Sequence, residues 1–400
     1  MVALLPLSFS ELDICKREVF SFRIADVGFL LLWILGLFTL CGCNLHYAAY
    51  GFPNLPGKIK TTFILFAFVF PVSKIVVIIT TNFITIGYIP KLLKKFLIID
   101  QFIDRRSRMY MHKRIRLGIL KTGAIMFLTQ IILCSVQYYV NTDGTIMAVL
   151  KTSLQNLSFT FYIILSVEYV SIVHMLKYRY EYFNDILLKC FKKENVATEP
   201  LSKYKNVSLD VNIAYIELPT ASSRNLTRTA RALNGRHTIN DLSMVYLKLY
   251  DTAALTNSYF GIPVLLETVS MITMCVTALY YGVYLLDCDS DIYGNIVNRY
   301  LLSGYLISCS ILCLSLFAWL IVCCHNTIQE ANKGIYFIHR ISLNRDIHYS
   351  IITELDRLLS QLKNMRIQFT ACGLFALNLP FLCTVFSAVL TYILIIVQIS

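Results

Sequence analysis

"FTACGLFALNLPFLCTVFSAVLTYILIIVQIS", residues 369–400, contains no acid, no base and no histidine. About 20 apolar residues in a helix cross the hydrocarbon core of a bilayer. The part from 373 to 399 is long enough and greasy enough to do so. One residue resists that reading. Gln398 puts an amide near the end of the run, with two residues after it. A polar group facing hydrocarbon without a partner is costly, so the fold must give this amide water or another polar group.

The whole chain has the same character. Of its 400 residues 56% are hydrophobic and 15% charged, with mean hydropathy +0.62. Soluble domains carry about 25% charge. A polytopic membrane protein is expected, and in lipid the backbone must satisfy itself, so the spans are helices. Seven runs qualify: 28–50, 61–86, 122–140, 156–176, 259–286, 300–324 and 373–399. The first follows Arg23 and Asp26 and reads as a retained signal anchor rather than a cleaved leader.

Charge sets the direction. Of 36 Lys and Arg, 31 fall in segments 1–27, 87–121, 177–258 and 325–372. Four lie on the other side, and Lys74 lies inside span two. Basic residues collect in the cytoplasm, which predicts a cytoplasmic N-terminus and an extracellular C-terminus. The net charge of +12 is explained by this asymmetry and needs no nucleic acid. G-protein-coupled receptors run the other way. Span three also lacks their acid-Arg-Tyr triplet, and "NLP" at 378–380 is not their Asn-Pro-x-x-Tyr.

Most polar sequence is thus cytoplasmic. Residues 91–118 have a helical apolar period and read as a continuation of span two; 174–191 continue span four. The stretch 192–236 is polar, holds Pro200 and Pro219, and reads as a flexible loop. In 325–372, Ile351, Leu355, Leu358, Leu359, Leu362 and Met365 share one face of an amphipathic helix. Its apolar face either lies on the bilayer surface or packs in a cytoplasmic bundle, which the presence of several such segments favours.

Signs of catalysis are missing. There is no phosphate-binding glycine loop, no His-Glu-x-x-His and no Gly-x-Ser-x-Gly. The 13 Cys lie mostly in apolar stretches without metal spacing and read as free thiols. No enzyme, cofactor or metal is expected. Charges inside spans are Lys74, Glu168 and Glu267. Lys74 and Glu168 either meet each other or a wet pocket, or one of them snorkels; Glu267 reads as structural. Tyrosines gather at the outer span ends, among them Tyr139, Tyr162, Tyr281 and Tyr305. They form either an interfacial belt or the wall of a pocket for a small organic ligand.

Span seven carries the most specific signal. Thr391 and Tyr392, five hydrophobic residues, Gln398 and then Ile399 resemble the C-terminal motif of insect gustatory receptors. That family usually has Phe where Ile399 stands. "FTACGLF" (369–375), Asn378 and "NSYFGIPVLLE" (257–267) are also similar. The resemblance implies an all-α ligand-gated cation channel related to insect odorant receptors. It implies a tetramer, from identical or related subunits, whose span seven lines a central pore and whose cytoplasmic helices form an anchor. Carried onto this chain, Gln398 is the outer constriction, with Ile395 and Ile399 as the hydrophobic gate. It further implies a small-molecule tastant, contact with membrane lipid, and the plasma membrane of a sensory dendrite. Sugar-type members often place an acid just after Thr-Tyr. Ile393 stands there, which favours bitter or other non-sugar compounds over sugars; a metabotropic seven-span receptor is an alternative, as is a transporter, against which the lack of an internal repeat speaks.

Overall fold

The computed structural model describes residues 88–103, 105–141, 146–192, 224–287, 296–343 and 349–399. It also describes five isolated helical positions, Leu35, Thr39, Gly42, Val72 and Val76. Spans one and two lie outside the described residues apart from those five, as does Lys74.

The described chain is almost wholly helical. The elements are α1 (Tyr88–Asp100), α2 (Arg105–Asn141), α3 (Ile146–Lys192), α4 (Arg224–Asp287), α5 (Ile296–Ser342), α6 (Tyr349–Asn364), a hairpin of β1 (Thr370–Ala371) and β2 (Phe375–Ala376), and α7 (Leu379–Ile399). The apolar runs at 122–140, 156–176, 259–286 and 300–324 fall within α2, α3, α4 and α5. Among the described residues, three helices are long and apolar enough to cross a membrane: those covering Ser107–Tyr139, Ile239–Val283 and Arg299–Ser342. Leu379–Ile395 forms a shorter apolar helix. At 64 residues α4, with Pro263 inside it, has far more residues than the ~20 that cross a bilayer.

The sequence expectation differs from the structure in three places. The helix read over 91–118 is broken: α1 stops at buried Asp100, a turn follows, and α2 begins at Arg105. The Asp100 carboxylate lies 3.7 Å from His112 Nε2 across that turn. Next, α4 starts at Arg224, inside the stretch read as loop, because a polar helix gives no apolar period to detect. Finally, residues 370–376 are the hairpin, so the helix of span seven begins at Leu379 rather than near 373. Cys372 (φ 52°) and Gly373 (φ 75°) turn the hairpin with left-handed backbone; with Leu374 they make the three-residue loop between Ala371 and its partner Phe375.

Contacts divide the chain into two compact units. The first holds residues up to Tyr178, Asp251–Ile328 and Ile367–Ser400. Its α2 presents Ile125, Leu128, Ile131 and Ile132 outward, each more than half exposed. A stripe of this kind marks a surface that meets lipid or protein.

The second unit holds Arg179–Tyr250 and Gln329–Arg366. Its core is built on α6, whose Ile351, Leu355, Leu358, Leu359 and Leu362 are buried. Each is worth about 1.5–3 kcal/mol relative to exposure. Met365 lies past the helix end, and its carbonyl accepts a 2.9 Å hydrogen bond from the Tyr246 hydroxyl. Ser243 donates to Gln361 Oε1, tying α4 to α6 again. Buried Asn184 donates to the Glu330 carbonyl at 2.8 Å and to its carboxylate at 3.1 Å, tying α3 to α5. Gly334 sits where these helices cross: a Cβ there would stand 3.1 Å from Asn184 Oδ1 and 3.2 Å from Leu362 Cδ2.

Candidate functional site

Within the first unit, α3, α4 and α5 enclose a recess. From α3 come Tyr162, Leu165, Ser166 and Tyr169; from α4 Val264, Glu267 and Thr268; from α5 Phe317 and Leu320. On each helix the spacing is three, four or seven, so each contributes one face. The recess is nearly closed, with a cavity volume of only about 10 Å³. Side chains must part before an organic molecule can enter. The walls are apolar at Leu165, Val264, Phe317 and Leu320. Polar groups converge between them: Ser166 hydrogen-bonds the Tyr162 hydroxyl, and Glu267 is 6% exposed beside them. Apolar walls with a few placed polar groups are what small-ligand sites have in common.

The recess is linked to α7 through aromatic rings. Phe317 packs edge-on against Phe381 of α7 at 6.2 Å, and Phe381 stacks on Phe375 of β2 at 4.2 Å. A second link runs along α4. Asn257, Gly261, Val264 and Thr268 lie on one face of that helix, with the last two at the recess and the first two at the hairpin. Asn257 Oδ1 accepts from the Thr370 backbone N–H at 2.7 Å, and its Nδ2 donates to Thr370 Oγ1 at 3.0 Å. A Cβ on Gly261 would sit 3.2 Å from the Cys372 backbone nitrogen, so the hairpin is pressed directly onto α4. Asn378 then caps α7, accepting from the Phe381 N–H at 3.0 Å.

The pore-helix residues read from sequence share an exposed side of α7. Val385 and Val389 are buried at 4% and 2%, and hold the helix to its own chain. Thr384, Ser387, Thr391, Ile395 and Gln398 are exposed and follow one another at three or four residues, making a single stripe. Tyr392 is exposed next to it, and Ile399 closes the helix. Thr391 belongs to the motif read from sequence; Thr384 and Ser387, which extend the stripe toward the start of the helix, do not. Hydroxyls spaced as a stripe in an otherwise apolar helix are the signal that would have found them.

The remaining candidates are scattered. Tyr162 lines the recess. Tyr305 is buried and donates to Gln137 Oε1 at 2.8 Å, away from it. Tyr281 is buried beside Tyr280, 5.8 Å between ring centres. Glu168 is half-buried and Tyr139 is 70% exposed; neither lines the recess. Among the described residues no cluster of His, Cys, Asp and Glu could hold a metal.

Comparison with known proteins gives a consistent picture. Residues 3–400 match the family model described as 7tm Chemosensory receptor, a family of receptors and not of enzymes. The chain is 27% identical over 247 residues to "Gustatory receptor for sugar taste 43a" of Drosophila melanogaster. That match takes in 58% of this chain and 55% of the relative, so it spans about half the relative's length. Among solved structures, the insect olfactory receptor OR5 from Machilis hrabei superposes with a TM-score of 0.63 at 10% identity, over 92% of this chain and 88% of that one. OR5 in complex with eugenol superposes with 0.61 at 11% identity, over 99% and 93%. At such identities the likeness is one of fold.

Proposed function

We propose that this chain, which belongs to the 7tm chemosensory receptor family, works as a tastant-gated nonselective cation channel of the gustatory receptor type. The observation that carries the proposal is the exposed stripe of α7, Thr384, Ser387, Thr391, Ile395 and Gln398. Four copies around an axis bring these stripes together as a pore. Gln398 then becomes a ring of amides at the outer mouth instead of an isolated polar group in lipid. Ile395, with Ile399 beside it, forms a ring that excludes ions by dewetting until the helices separate. The second unit is the cytoplasmic anchor of the tetramer, of identical or related subunits, and the protein sits in the plasma membrane of a sensory dendrite.

Gating follows from the two links to the recess. A ligand that parts Tyr162, Glu267 and Phe317 also displaces Phe381 and the Asn257 face of α4. It opens the pore only insofar as it binds the open arrangement more tightly. For the ligand, two observations oppose each other. Ile393 stands where sugar-type members often carry an acid, which favours bitter or other non-sugar compounds. The convergence of Tyr162, Ser166, Glu267 and Thr268 suits a polyhydroxylated molecule, and the named relative is a receptor for sugar taste. The recess favours the sugar reading, because it is the part that would touch the ligand.

The test is expression in oocytes with a hexose series and an alkaloid series, recording current directly. Hexose-evoked cation currents are expected, altered in gating or permeation by Ile395→Ala and Gln398→Ala. Currents that require a coupled G protein, or that ignore both substitutions, would refute the pore. Alkaloid-evoked currents alone would return the ligand to the non-sugar class.

A further inference from the structure

The second unit has a larger recess than the first, about 380 Å³, open to solvent. Asn332, Ile335, Tyr336 and His339 line it from α5, and Lys363 and Arg366 from the end of α6. The four α5 residues lie at i, i+3, i+4 and i+7 and form one stripe. All six side chains except Ile335 are exposed. No acid lines the recess. Two other bases on these helices are paired with acids: Lys333 Nζ lies 2.6 Å from Glu330 Oε2, and Arg357 Nη1 lies 3.2 Å from Glu354 Oε1. Lys363 and Arg366 have no ion pair among the described residues. Bases near helix C-termini complement the macrodipole. That accounts for their sign, but not for two helix ends converging on one recess of small-molecule size.

We propose that this recess binds a phosphorylated anion, of the chemistry shared by a soluble inositol phosphate and a phosphoinositide headgroup. Arg366 offers a planar fork for two phosphate oxygens and Lys363 a point charge. The His339 ring and the Asn332 amide supply further hydrogen bonds, the latter suited to ring hydroxyls. Tyr336, 62% exposed, gives the flat wall. The site is independent of which tastant opens the channel. The headgroup source alone rests on the chain being a membrane receptor.

The experiment uses the full-length protein in nanodiscs. One arm titrates inositol trisphosphate against protein in pure phosphatidylcholine; the other compares discs with and without phosphatidylinositol bisphosphate. Binding is expected in at least one arm, and which arm responds identifies the source. Affinity should drop about tenfold or more in Lys363→Gln/Arg366→Gln, and fall with added salt. Lys333→Gln and Arg357→Gln should bind like the unsubstituted protein. Size-exclusion profiles check assembly, and the single Arg366→Gln variant carries the test if the double one assembles poorly. The proposal is overturned if neither probe binds, if all basic substitutions weaken binding alike, or if neutralising the recess splits the oligomer, which would make it a subunit contact.

Discussion

Replacing Asn257 with alanine would cut the tie between α4 and the hairpin that leads into α7. Two hydrogen bonds vanish, one from the Thr370 N–H at 2.7 Å and one to Thr370 Oγ1 at 3.0 Å. A hydrogen bond contributes about 0.5–1.5 kcal/mol net, and a donor left unmade costs about 1–3 kcal/mol. Thr370 is half-buried, so water replaces part of what is lost. A loss of about 2 kcal/mol in the local stability of the hairpin is a fair value. Hydrogen exchange reads it directly, because amides of a locally opening segment exchange in proportion to the open population. Peptides covering the hairpin should exchange about 30-fold faster in Asn257→Ala, while peptides from α2 should not change. Asn257→Asp keeps an acceptor for the Thr370 N–H and should recover most of the protection. If Asn257→Ala exchanges as slowly as the unsubstituted protein, or if Asp rescues nothing, the tie is not held by these bonds.

Other perturbations test the remaining steps. Gly261→Val places methyl groups against the Cys372 backbone, already 3.2 Å from a Cβ there; it should weaken ligand-evoked current at normal surface expression, measured in oocytes. Ile395→Ala should raise ligand-free conductance by thinning the gate. Leu355→Ala empties a fully buried site in α6 and should cost about 2–5 kcal/mol, seen as a lower melting temperature of the purified protein. Burial, with Tyr250 nearby, pushes the Tyr246 phenol from 10.0 up to about 12. Its raised value favours the protonated, folded form, so this contribution is complete below pH 10 and is lost as pH rises toward 12. Tyr246→Phe should flatten the alkaline loss of stability over that window, at a cost of about 1 kcal/mol for the bond to Met365.

How much of this could be read from sequence depended on which forces leave a local trace. The buried face of α6 was legible because Ile351, Leu355, Leu358, Leu359 and Leu362 repeat against charged neighbours. The family motif at Thr391–Gln398 was legible for its composition. The recess was not. Its three helices are apolar on most sides, so no periodicity marks the face carrying Tyr162, Val264 or Phe317. Glu267 was set aside as structural because depth along a span says nothing of what stands opposite. The hairpin escaped because two-residue strands are shorter than any period. The Asn257–Thr370 pair joins positions 113 apart in the chain, so neither "NSYFG" nor "FTACG" carries a local sign of the other.

The hydroxyls on the outer stripe of α7 have one more consequence. Thr384 donates its proton to the Pro380 carbonyl at 3.0 Å, and Thr391 donates to Ser387 at 2.8 Å. Their hydrogens are therefore turned back into the helix, and what faces outward is lone pairs. In the proposed pore these oxygens, repeated by symmetry, make an electronegative wall from a helix that contains no acid. Anions would meet repulsion and cations a surrogate hydration shell, so valence discrimination arises from the direction of two hydroxyl protons. Dilution potentials recorded on Thr384→Val and Thr391→Val, which keep the shape and remove the oxygens, would measure that contribution.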